Sequence, residues 1–208
     1  MGCRALACLM ENVQVFFVKE QGFDVVGLRT STAELAMVPA LGGRVISLRS
    51  RRSGREWCWH QARPDWLWTN AATDDFGGSP QAGVDECVPT VAACHWRGRA
   101  IPDHGEVWFQ SWTLDPAALA SGQLAARVQL PVSPFVFART IRVEAGEFIF
   151  DYTLTNIGAA PEEFIWSLHP LFTIHPGDRL ELPGDVRRFR LNGGLGDRPI
   201  ARGDTWDY

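Results

Sequence analysis

The sequence lacks most of the features that would classify it at a glance. It has no excess of positive charge: 20 Lys and Arg stand against 24 Asp and Glu, a formal net charge of −4. A nucleic-acid partner would want a basic face, so that class is argued against. No block of like charges is long enough to act as a tail, and RSRRSGR (49–55) reads as a short solvated turn. Long hydrophobic runs are missing too. The apolar stretch from Ala5 to Met10 meets Glu11 at once, too early for a secretory core or a membrane span. Leu6 breaks the myristoylation pattern, and ALAC only partly resembles a lipoprotein cleavage site. The expectation is a cytoplasmic protein with no membrane partner. Cys3, Cys8, Cys58, Cys87 and Cys94 are odd in number and form no CxxC pair. That argues against a disulfide framework or a zinc ribbon and fits a reducing compartment. GGLGDR (193–198) has no helix after it and no Gly-Lys-Ser/Thr occurs, so there is no phosphate-cradling loop. A Gly-x-Ser-x-Gly elbow is also lacking, as are internal repeats, low-complexity linkers and any periodic helix of ten residues.

What remains is strand. The 208 residues suffice for one domain, 1–208, and a chain of this size buries roughly 70% of its unfolded surface. EFIFDYTLTN (147–156) alternates Phe148, Phe150, Tyr152 and Leu154 against Asp151, Thr153 and Thr155. FVFARTIRVEAG (135–146) precedes it across a Gly-containing connection and predicts a hairpin. Further strands are expected at VQVFFV (13–18), ELAMVP (34–39), RVISLRS (44–50), REWCWH (55–60), VWFQSWTL (107–114), LAARVQLP (124–131), EFIWSL (163–168) and RLELP (179–183). Only PAALA (116–120) reads as helix. Many short strands with Gly/Pro turns imply an all-β, mostly antiparallel sandwich or barrel. From Leu191 the chain reads as loop, so the fold is expected to be incomplete at its C-terminus, with an exposed sheet edge.

Three stretches carry candidate chemistry. In IPDHGEVWFQSW (101–112), alternation from His104 puts Glu106, Trp108, Gln110 and Trp112 on its face and Val107 and Phe109 on the other. A histidine, a carboxylate, an amide and two indoles suit a sugar: indole faces cover C–H patches and polar groups read hydroxyls. The plainer alternative is that the indoles cap the sheet. In EFIWSLHPLFTIHPGD (163–178), Phe164, Trp166 and Leu168 share the core face, and His169 falls opposite, at a strand end set by Pro170. His169 is either a satisfied structural ring or a proton donor facing a ligand; His175 reads as an exposed loop residue. DDFGGSPQAGVDECVPTV (74–91) is a long Gly/Pro loop in which Asp85 and Glu86 either face a pocket or order the loop. His104, Glu106 and His169 also make a cupin-like metal set, although position 106 is not the histidine such a site wants.

VPALGGRVISLR (38–49), GVDECVPTV (83–91), IPDHGEVW (101–108), YTLTNIG (152–158) and WSLHPLFTI (166–174), in that order, resemble the aldose 1-epimerase, or galactose mutarotase-like, family. The resemblance implies a large antiparallel β-sandwich whose concave face holds a hexose or hexose phosphate, without metal or organic cofactor. It implies interconversion of α and β anomers by acid–base ring opening, chemistry suited to a histidine with a pKa near neutral. Carried over, His169 would be the general acid, and His104 would contact the sugar and steady developing charge. Arg44 of the GGR match would bind sugar oxygens, and Glu86, Glu106 and Trp108 would be further substrate-binding positions. The family's base, a glutamate near the C-terminal end, finds no counterpart: Asp197, Asp204 and Asp207 lie in the loop-like tail. Glu106 or Glu86 would have to substitute, or the chain is a piece of a longer enzyme. A noncatalytic carbohydrate-binding domain on the same sandwich is the alternative. The oligomeric state is left open.

Overall fold

The computed structural model describes residues 12–69, 76–191 and 201–207. The readings of the N-terminal stretch, of GGLGDR and of Asp74 and Asp75 lie outside these. In chain order the elements are β1 (Gln14–Glu20), β2 (Phe23–Arg29), β3 (Ala33–Val38), β4 (Arg44–Ser50), β5 (Val84–Cys87), β6 (Cys94–Trp96), β7 (Arg99–Ile101), β8 (Thr113–Leu114), α1 (Pro116–Ala120), β9 (Leu124–Gln129), β10 (Phe135–Glu144), β11 (Glu147–Asn156), β12 (Ser167–Pro170), β13 (Arg188–Arg190) and β14 (Thr205–Asp207). No described helix is long and apolar enough to cross a membrane.

The chain gathers into two units, one ending at Thr173 and one running from Ile174 to Tyr208. In the first, a six-stranded sheet ordered β1-β2-β3-β4-β5-β12 faces a four-stranded sheet ordered β11-β10-β9-β8. Every pairing between the named strands is antiparallel. Val26, Leu28, Leu35, Met37 and Val45 of the larger sheet share one core with Leu124, Val128, Phe137 and Ile141 of the smaller. The expected all-β antiparallel sandwich is therefore observed, and burial of each such side chain contributes about 1.5–3 kcal/mol. A smaller cluster (Val25, Ala36, Val38 and Leu41, with Leu67 from the loop after β4) covers the opposite, outer face of the larger sheet.

The strongest alternation gave the best boundaries. Glu147–Asn156 and Arg44–Ser50 form as expected, and Phe135 pairs with Asn156 at the open end of the predicted hairpin. PAALA is helical because Pro116 opens it and the Asp115 carboxylate accepts from Ala117 N, satisfying a free helix-end donor. In the first unit three expected strands need correction. REWCWH makes only isolated bridges, through Glu56, Cys58 and His60. VWFQSWTL contributes only Thr113–Leu114, since residues 103–110 form turns. EFIWSL forms strand only from Ser167 onward, and the side chains of Phe164, Trp166 and Leu168 on its expected core face are 54%, 42% and 39% exposed.

The second unit holds one hairpin, β13 against β14, with Phe189 stacked on Trp206 and Arg188 paired with Asp207. RLELP is not a strand, and part of the expected loop after Leu191 is strand. His175 lies in an exposed turn closed by His175 N donating to Asp178 Oδ2.

Candidate functional site

The site grows from β5 and β12. These strands pair in the register Val84↔Pro170, Asp85↔His169, Glu86↔Leu168, Cys87↔Ser167. Directly opposed residues share a face, so Asp85 stands with His169 and Glu86 does not. Val84 belongs to the inter-sheet core, which places Glu86 inward and Asp85 and His169 on the outer face. Arg44, the first residue of β4, donates from Nε to Asp85 Oδ1 at 2.8 Å, in an ion pair buried on both sides. The GGR turn delivers it: Gly42 has φ +71, and a Cβ there would lie 2.4 Å from the Trp108 carbonyl oxygen. Gly42 N also donates to Gln110 O. The glycine thus lets the turn close against the segment that follows the first histidine.

His104 arrives from a turn rather than a strand. Its φ is +60 and that of Gly105 is +76, and two left-handed residues in succession break the expected alternation. A Cβ on Gly105 would sit 2.1 Å from Val88 O. Gly105 bridges Val88, and Glu106 N donates to Val88 O at 2.6 Å, docking the turn beside β5. The fully buried Trp108 closes it, its Nε1–H shared between Asp103 O (3.0 Å) and Gly105 O (3.1 Å). The His104 and His169 rings then lie 5.0 Å apart between centroids and perpendicular. Phe76 stacks on His104 at 3.7 Å and presents an edge to His169 and to Trp108.

Burial lowers the pKa of His169 below its ordinary 6.5; the charge of His104 and, less strongly, that of Arg44 add to this, while Asp85 opposes it. His169 is therefore mostly neutral at pH 7 in the free protein. Among the described residues, His169 Nδ1 and Arg44 Nη1 are buried without a hydrogen-bond partner. His104 Nδ1 lies 2.9 Å from Asp103 Oδ2 but not in hydrogen-bonding alignment. Buried donors and acceptors left unpaired are costly, so these atoms are suited to a polar ligand. Cys87 shares this face of β5, yet burial pushes its thiol up to about 12, so it supplies no thiolate at neutral pH.

The structure thus brings together His104, His169 and Arg44 from the expected set, with Asp85 as the one of the two adjacent acids that joins them. The other expected substrate contacts are placed elsewhere. Glu86 is buried between the sheets, where Arg139 Nη1 (2.6 Å) and Tyr152 OH (3.1 Å) donate to its Oε1. Desolvation raises its pKa against the pull of Arg139. Glu106 is buried as well, its carboxylate accepting from Val132 N (2.6 Å), Ser133 N (3.1 Å) and Ser133 Oγ (2.5 Å). It ties the histidine turn to the β9–β10 connection and offers nothing to a sugar or a metal. Trp108 supports the turn from beneath and has no open face. Among the described residues, no group of three or more His, Cys, Asp and Glu is placed to hold a metal ion. Arg51 is directed to Glu34 and to Thr30 O, and Arg49 to Gly54 O, so of the basic residues in 44–51 only Arg44 adjoins the histidines. Asp85 and Glu86 were equal candidates in the sequence, because a four-residue strand with two adjacent acids does not reveal which of them points inward.

No protein-family model and no curated protein sequence matches the chain. Among solved structures it is similar to a "putative mutarotase (YeaD)" from Salmonella typhimurium, with a TM-score of 0.41 and 16% sequence identity, covering 62% of this chain. The match spans 43% of that chain, less than half its length.

Proposed function

We propose that the chain is an aldose 1-epimerase-like isomerase that interconverts the α and β anomers of a hexose or hexose phosphate. The observation that carries this reading is the pair of perpendicular imidazoles, 5.0 Å apart, on a face that also holds the Arg44–Asp85 pair. Ring opening moves two protons: one reaches the ring oxygen and one leaves the anomeric hydroxyl. His169 is the general acid in this reading. Its depressed pKa makes the imidazolium a stronger acid while leaving little of it at neutral pH. His104 contacts the sugar and steadies the charge that develops. Asp85 is the carboxylate closest in register to His169 and replaces Glu86 and Glu106 as the candidate base. Arg44 binds sugar oxygens with the Nη1 that Asp85 leaves free. The reading takes residues 1–208 as part of one such domain, cytoplasmic and free of metal or organic cofactor, with a small sugar rather than nucleic acid or membrane as its partner.

A second reading keeps the sugar and drops the chemistry. It is favoured by the burial of Asp85 in its ion pair with Arg44, which leaves that carboxylate less available as a base. Anomer exchange followed by NMR on freshly dissolved glucose, galactose and glucose 6-phosphate separates the two. Acceleration by the wild type that His169→Ala abolishes, with sugar binding retained, is the expected result. Binding of a sugar without acceleration would leave the carbohydrate-binding reading. Neither binding nor acceleration of any of the three sugars by a folded chain would overturn both.

A further inference from the structure

The tryptophans of REWCWH are not used by the site as described, and one of them stands on its face. Cys58 opposes Phe172 in an antiparallel bridge, Trp59 N donates to Leu171 O at 2.9 Å, and Thr173 N donates to Trp57 O at 2.8 Å. Trp59 is therefore across from Leu171, two residues beyond His169, and the two-residue period returns Leu171 to the face of His169. Burial agrees: Cys58 is 2% exposed and belongs to the inter-sheet core, so Trp59 projects the other way, and it is 39% exposed. In sheet geometry a diagonal neighbour of this kind lies about 7–8 Å away, and somewhat less between Cβ atoms, roughly the span of one sugar ring.

Neighbouring aromatics are already engaged. The Arg55 guanidinium covers the ring of Trp57 at 3.7 Å, and His60 stacks on Trp66 at 4.3 Å. Among the described residues no ring and no guanidinium stacks on Trp59. The same face carries the buried, unpartnered Arg44 Nη1 and His169 Nδ1, with Arg44 only 1% exposed. An open indole beside buried polar atoms that lack partners is complementary to a molecule with one apolar C–H face and a rim of hydroxyls.

We propose that Trp59 is the stacking platform of a pyranose subsite: the C–H face of the ring lies on the indole and its hydroxyls reach Arg44 and the two histidines. This rests on the sugar reading above and replaces Trp108 as the aromatic contact. It makes the closed ring, rather than the open chain, the form that the site recognises. A methyl glycoside, which cannot open, is then a sufficient ligand, whereas an acyclic alditol is a poor one.

The test is calorimetric titration of the wild-type chain, Trp59→Leu, Trp59→Phe and Trp57→Leu with the methyl glycosides of glucose and galactose and with the matching alditols. Anomer exchange by NMR is run beside it, and thermal unfolding confirms that each variant is folded. Trp59→Leu is expected to weaken glycoside binding about tenfold, the scale of one lost aromatic contact. Trp59→Phe should restore most of it, and Trp57→Leu should bind as the wild type does. Trp59→Leu binding the glycoside as tightly as the wild type overturns the platform while the sugar reading stands. Alditols bound as well as glycosides also overturn it. If Trp59→Leu does not fold, Trp59→Phe still decides: glycoside binding a few-fold weaker than the wild type, with the preference for glycoside over alditol kept, supports a stacked ring on a smaller face, and binding as tight as the wild type overturns the platform. A wild-type chain that neither binds nor turns over any of these sugars overturns the platform together with the reading it rests on.

Discussion

Asp85 and Glu86 are adjacent in the chain and both buried, yet they belong to two different regions. Glu86 faces the core between the sheets, held by Arg139 of β10 and Tyr152 of β11. Asp85 faces the outer side, held by Arg44 beside His169. The inward pair sits among apolar side chains: Arg139 also donates to Met37 Sδ and to Gly43 O and lies over the Trp112 ring at 5.0 Å. The outward pair sits beside two histidines with unpartnered buried nitrogens. One carboxylate–arginine pair is fitted to a packed interior, and the other borders a face whose buried polar atoms include some without hydrogen-bond partners. The difference is one residue of register in a pleated strand, where successive side chains take opposite faces.

That contrast can be broken first at its inward side. Arg139→Ala leaves the Glu86 carboxylate buried without its cation and is expected to cost about 3–5 kcal/mol, read as a lower midpoint in urea unfolding. The paired change Arg139→Met with Glu86→Leu should recover much of that, whereas equal instability in the double variant would show that the network matters by more than its charge. Next comes Glu106→Gln, which weakens the bonds to the β9–β10 turn and is expected to cost about 1–3 kcal/mol. Unchanged stability would place Glu106 outside the scaffold that presents His104.

The outward side is sharpened by titration. NMR of His169 in the free protein should give a pKa below 6.5, with burial as the chief cause. His104→Asn, removing a like charge, should raise it, and Asp85→Asn, removing the opposing carboxylate, should lower it further. The stability that goes with a neutral His169 is then present above pH 6.5 and lost as the pH falls through its folded-state pKa. If His169 is the general acid, anomer exchange should rise as the pH falls toward that pKa; a rate that instead rises with pH would make it a base. The smallest effect lies away from both pairs: Asp115→Ala removes the cap of α1, at about 1 kcal/mol.

The residues explain which parts were legible in the sequence. Glu147–Asn156 was readable because Phe148, Phe150, Tyr152 and Leu154 pack on the core while Asp151, Thr153 and Thr155 are exposed, so its period of two is visible. Phe23–Arg29 was missed because Val25, Val26 and Leu28 are buried on both faces of the sheet, which erases the alternation. Val84–Cys87 was missed because adjacent acids look like loop until two arginines, 41 and 53 residues from their partners, are brought to them. The His104 turn defeated a strand reading because the positive φ of His104 and Gly105 reverses the chain where alternation was assumed. Trp59 could be counted in the sequence but not assigned, because its face depends on a bridge from Cys58 to Phe172, more than a hundred residues on.

The sequence by itself determined the all-β class, the hairpin of β10 and β11, the short helix at PAALA and the candidate ring pair His104 and His169. These follow from local periodicity, from turn and cap chemistry, and from where the histidines fall against prolines and glycines in the chain. Tertiary structure alone decided that Asp85 rather than Glu86 faces the histidines, that Trp108 and Glu106 are scaffold, and that Trp59 is open. Side-chain direction on a strand is fixed by register with a distant partner, and a shift of one residue sends the same side chain to the other face.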